Sequence, residues 1–148
     1  MAARVAVGLV FLVAGVLKLR EPVWPATAAE FGVPRPVAGA LPRYELVLGA
    51  LLVAGVGLPW TAYVALGLLA AFTVAVAVHL VRGDPIPCGC FGESSPMPVG
   101  RDTLLRNLVL CWLAWAGRRG SGGALAAVAG AGLAALFVVE SRVRTGRR

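Results

Sequence analysis

LVLGALLVAGVGLPWTAYVALGLLAAFTVAVAVHLV, residues 46–81, contains no Asp, Glu, Lys or Arg. As one straight helix it would be roughly 54 Å long, well past a hydrocarbon core of about 30 Å. Leu58-Pro59-Trp60 lies near its middle, and proline breaks a helix because it lacks an N–H and its ring clashes with the preceding turn. The stretch therefore reads as two spans joined by a very short turn, about 42–58 and 60–81, the first opening on Pro42 as a first-turn residue.

Working outward, a span is expected over about 2–20, with Arg4 and Lys18 snorkelling toward the two interfaces. A connector with four prolines comes next, 21–41, holding Trp24 and a short interfacial helix over Ala26 to Phe31. After a polar loop, 82–101, a further segment over 103–117 is uncharged only between Arg106 and Arg118, which fits either a crossing or a re-entrant helix. A last span is expected over 121–139. The expected fold is all-α, a multi-pass transmembrane helical bundle of four to five spans forming one domain over 1–148.

Composition agrees with that architecture. The chain is 59% hydrophobic and 14% charged, above the apolar share of ordinary soluble domains. Its net charge of +7 comes from residues that flank apolar runs, including Arg142, Arg144, Arg147 and Arg148. That is the distribution of a membrane protein and argues against nucleic acid as a partner, since no basic amphipathic face accompanies the charge. Arg4 and the apolar run after it resemble a signal peptide, but Lys18 and Arg20 come at once with no small-x-small cleavage site, so a retained first span is expected.

The polar loop holds Cys88-Gly89-Cys90-Phe91-Gly92, two of the chain's three cysteines. Gly89 allows a tight backbone turn between the thiols, and Phe91 and Gly92 shape that turn on its far side. One reading is a redox pair in which one thiolate attacks and the other resolves. A second is a disulfide or thiol pair that only shapes the loop. A third is metal binding, which needs two further ligands, with His79 and Cys111 as the soft candidates. The spacing matches no common zinc ribbon, so no metal and no cofactor is assigned.

Four other polar residues fall in or beside spans: Lys18, Glu45, His79 and Arg106. Lys18 and Glu45 come to the same side if the first two spans form a hairpin. An ion pair fixing that hairpin is preferred over a proton-handling role. His79 is the single histidine, and both a functional role and a place at the interface fit it. Arg106 and Asn107 read as interfacial anchors, with closure on the cysteine loop or binding of a quinone or lipid headgroup as the functional alternative. Cys111 reads as a packing thiol, and Trp24, Trp60, Trp112 and Trp115 as an interfacial belt.

These residues resemble a known family. Arg4 with GLVFLVAGVLKL at 8–19 is similar to the first-span pattern of DoxX-like membrane proteins, and Tyr44-Glu45-Leu46 with Gly49 to their second span. Cys88-Gly89-Cys90-Phe91-Gly92 followed by Arg106-Asn107 resembles the methylamine utilisation protein MauE branch. The resemblance implies a multi-pass bacterial inner-membrane protein that supports maturation of a disulfide-rich partner beside a thioredoxin-like protein. Many relatives occur in bacteria without that pathway. The bundle also resembles vitamin K epoxide reductases and their bacterial relatives, but those use Cys-x-x-Cys at a quinone site and no such spacing exists here.

The expected function is thiol-disulfide exchange or maturation of a partner protein, carried by Cys88 and Cys90. The expected partners are the lipid bilayer and a thioredoxin-like protein or an exported substrate protein. The alternatives are a non-catalytic membrane scaffold with structural cysteines, or a small transporter or metal handler. Whether the protein is an enzyme stays open. With five spans the cysteine loop shares its side with most basic residues, which the positive-inside rule places toward the cytoplasm. Oxidation of exported proteins calls for the opposite side.

Overall fold

The computed structural model describes residues 1–83 and 100–118. These form five helices and no strand: α1 (Ala2–Arg20), α2 (Trp24–Glu30), α3 (Arg35–Ala54), α4 (Trp60–Arg82) and α5 (Arg101–Gly117). Three of them, α1, α3 and α4, are long and apolar enough to cross a membrane. The expected span over 121–139 lies outside the described residues.

The most extensive packing is between α1 and α3, followed by α4 on α5 and α1 on α5. Glycines set the first of these. A Cβ on Gly8 would meet the Gly49 carbonyl oxygen at 2.8 Å, and one on Gly49 would meet the Gly8 oxygen at 2.7 Å. Backbones this close need the absence of a side chain, the device that lets membrane helices associate without a hydrophobic drive. Phe11, Leu48, Leu52, Leu69, Leu110 and Leu113 fill the core between the helices. Large apolar residues such as Leu9, Val74, Leu105 and Leu108 point outward, as expected of faces that lipid covers.

The second span begins earlier and ends earlier than 42–58. It opens at Arg35 with Pro36 in the first turn, and Pro42 lies inside it, buried. An interior proline leaves the carbonyl four residues back without its helical partner. Here that carbonyl is Ala38, and the Trp24 indole Nε1 donates to it at 2.8 Å. Trp24 is therefore a buried repair of the α3 backbone and no part of an interfacial belt. α2 covers Trp24–Glu30, displaced by a residue or two from the expected Ala26 to Phe31.

α3 stops at Gly55, which takes a left-handed conformation with φ 76. Its N–H bonds back to Leu51 and Leu52, and Val56 N–H reaches Leu51 at 3.0 Å, a Schellman-type close. Arg4 completes the cap: its Nη1 donates to Leu52 O at 3.2 Å and Val53 O at 3.4 Å. Arg4 does not snorkel; it is buried against the end of α3, where a cation complements the carbonyl end of the helix.

A Cβ at Gly55 would fall on the Arg4 guanidinium. Gly55→Ala is expected to cost about 1–2 kcal/mol from the left-handed backbone alone, and more from displacing Arg4. Gly32 has a similar φ of 75 and open space around it. Gly32→Ala therefore carries only the backbone cost, and reversible unfolding of the two variants in detergent should show Gly55→Ala clearly lower.

α5 extends the expected 103–117 by one half-turn, to Arg101–Gly117. It is one unbroken helix of roughly 25 Å. Leu104 packs with Val76 and Phe31 at one end of the bundle. At the other end, a Cβ on Gly117 would lie 3.1 Å from the Arg4 backbone nitrogen. α5 thus runs antiparallel to α4 from one end of the bundle to the other, though it is not among the helices long and apolar enough to cross a membrane. Trp115 lies at this far end with the Arg118 guanidinium 3.8 Å over its ring, an interfacial arrangement.

Candidate functional site

Lys18 occupies the last turn of α1 and Glu45 the middle of α3. The Gly8–Gly49 approach brings these helices close enough for the Lys18 Nζ to donate directly to Glu45 Oε1. The two side chains are 2% and 1% exposed. Two rings complete the surroundings of the ammonium: Trp24 from α2 at 4.7 Å and Phe72 from α4 at 4.8 Å. A buried ammonium is costly unless compensated. Here one carboxylate and two aromatic faces replace its hydration, each face contributing about 0.5–2 kcal/mol. Lys18 therefore does not snorkel to the interface.

Of the other buried polar residues, His79 and Asn107 lie in the same half of the bundle and Arg4 at the far end. His79, in the last turn of α4, is buried with the Phe31 ring edge-on to it at 4.9 Å. Asn107 on α5 is 4% exposed. Its neighbour Arg106 is half-buried. Cys111 is half-buried in the α4–α5 packing, its Sγ 3.9 Å from the Thr73 hydroxyl, a weak contact that suits a packing thiol. Trp60 and Trp112 are exposed on the outer surface.

Gly83, which ends α4, and Gly100, which precedes α5, bracket the segment that carries the cysteines. Both lie at the end of the bundle toward which Lys18, His79 and Asn107 are placed. Cys88, Gly89, Cys90, Phe91 and Gly92 themselves lie outside the described residues.

A family model described as methylamine utilisation protein MauE matches residues 1–119. The chain belongs to the MauE family. It is 36% identical over 123 residues to the methylamine utilization protein MauE of Paracoccus denitrificans. That match covers 78% of this chain and 66% of the relative, so the chain spans just under two thirds of the relative's length. No solved structure matches the chain.

In this MauE-family bundle the buried polar groups among the described residues are the Lys18–Glu45 ion pair, the Asn107 carboxamide, the His79 imidazole and the Arg4 guanidinium. No group of three or more His, Cys, Asp or Glu able to hold a metal ion occurs among them. Sequence reasoning pairs Lys18 with Glu45 but gives Trp24 and Phe72 no part in the pair. Phe72 carries no signal of its own in an apolar run. Trp24 does: an interior proline at 42 leaves Ala38 O in need of a donor, and an indole in the preceding connector is one.

Proposed function

We propose that this MauE-family protein is a multi-pass inner-membrane protein that acts in methylamine utilisation by thiol-disulfide exchange. Cys88 and Cys90 are the exchanging pair, and maturation of a partner protein is the outcome. The observation that carries this reading is the extent of the family match, residues 1–119, which includes Cys88-Gly89-Cys90. The name of the Paracoccus relative supports the pathway.

The exchange balances without any further reagent. A thiolate of the reduced partner attacks one sulfur of the Cys88–Cys90 disulfide and the other sulfur leaves as thiolate, forming a mixed disulfide. The partner's second thiolate then attacks the mixed disulfide and releases the second cysteine. Two electrons and two protons pass from partner to pair, and the reverse sequence returns them. A disulfide closed over a single glycine is a small, strained ring, and strained disulfides are the more easily reduced and exchanged.

Thiol trapping in native membranes tests the reading. In a Cys111→Ser background, maleimide-polyethylene glycol should show a two-thiol shift that appears with reductant and disappears with oxidant. Cys88→Ser and Cys90→Ser should each lower partner maturation to background, and one of them should accumulate a mixed disulfide. If both cysteines label fully under every redox condition and Cys88→Ser matures its partner normally, exchange is wrong and the cysteines only shape a scaffold.

A further inference from the structure

We infer that a water molecule sits inside the bundle and joins the Glu45 carboxylate to the Asn107 carboxamide. A cavity of about 30 Å³ lies between α1, α3, α4 and α5. Phe11, Lys18, Glu45, Leu69, Phe72 and Asn107 contribute to its wall. Glu45 Oε1 is taken by Lys18, whereas Glu45 Oε2 and Asn107 Nδ2 are buried with no hydrogen-bond partner among the described residues.

The size selects the ligand. A water needs about 10–15 Å³ of such space, so one or two fit and a quinone or lipid headgroup does not. The polarity selects it again: one free position is an acceptor and the other a donor. A single water donates to Oε2 and accepts from the Nδ2–H, satisfying both atoms at once. The rest of the wall is apolar apart from the Lys18 ammonium. The water also supplies a link that direct packing does not, because α1 stands between α3 and α5, which are not among the extensively packed helix pairs. This water site is independent of the sulfur chemistry proposed above.

The test uses the full chain in lipid nanodiscs. Infrared spectra taken in ordinary water and in oxygen-18 water should show an isotope-sensitive O–H stretching band in the wild type that is lost in Asn107→Leu. Reversible unfolding of Glu45→Gln, Asn107→Leu and the double variant should be non-additive by roughly threefold or more in the unfolding equilibrium constant. An isotope-sensitive band unchanged by Asn107→Leu, or strict additivity, overturns the bridge. If Asn107→Leu does not fold, Asn107→Ser serves: its shorter hydroxyl must move the band, and an unmoved band overturns the proposal equally.

Discussion

Glu45→Ala is expected to destabilise the bundle by about 3–5 kcal/mol, enough to lose most of the folded protein in detergent. The reason is what remains. Lys18 would keep its position between Trp24 and Phe72 with no anion, its side chain only 2% exposed. Lys18→Ala should cost a similar amount by stranding the Glu45 carboxylate. Replacing both with methionine removes both charges from the core and should come close to wild type, because a pair that is absent needs no compensation.

The charge-swapped variant discriminates further. If the ion pair alone mattered, Lys18→Glu with Glu45→Lys would recover most of the loss. The two ring faces around position 18 attract cations and disfavour a carboxylate. The swap is therefore expected to recover only a minor part. Urea or sodium dodecyl sulfate titration of the four variants, followed by circular dichroism, gives the order. Near-complete recovery by the swap would show that Trp24 and Phe72 act only as bulk.

Gly49→Val is expected to have the second large effect. Its new Cβ would already lie 2.7 Å from the Gly8 oxygen and 3.0 Å from the Leu12 nitrogen, both backbone atoms that no rotamer change relieves. The helices must separate, and overpacking of this kind costs about 1–3 kcal/mol or more. Separation at Gly49 also opens the approach that lets Lys18 reach Glu45 one turn away, so the loss should exceed that of an ordinary overpacked site. Gly67 on α4 has nothing within 4 Å of its Cβ position. Gly67→Ala should accordingly be neutral or stabilise by up to about 1 kcal/mol through helix propensity. Opposite signs at these two glycines, measured by the same unfolding assay, are the expected result. Equal tolerance at both would mean that α1 and α3 do not touch as described.

The helices that can be read from the sequence are those bounded by unambiguous signals. α1 and α4 lie where charge-free runs end in basic residues and where Pro59 starts a new helix. The start of α3 is harder to read because Pro42 satisfies two rules at once: it suits a first turn, and it is tolerated in an interior when another donor serves its orphaned carbonyl. Only the fold shows that Trp24 does so. The end of α3 is hidden for a related reason. Gly55 and Gly57 both take positive φ, but nothing local says that Arg4, about fifty residues earlier, will close the cap. The Lys18–Glu45 pair is legible because charges in apolar runs have few partners to choose from. The ring at 72 and the cavity beside Asn107 are not, since apolar residues in a span look alike until packing separates those that face lipid from those that face a charge.

The ion pair also bears on how the chain enters its membrane. Of the three helices apolar enough to cross, α3 is the least so, and it carries Glu45 at its middle. A lone charge there costs about 2.5–3.5 kcal/mol on insertion scales. Lys18 is in the last turn of α1, where a long side chain reaches the headgroups unaided until a counter-ion arrives. In order of synthesis, then, α1 settles first and waits with a cation at its C-terminal end. The next long helix docks onto it carboxylate first. The first hairpin thus carries its own counter-ion, Lys18 offsetting the charge that α3 brings into the bundle.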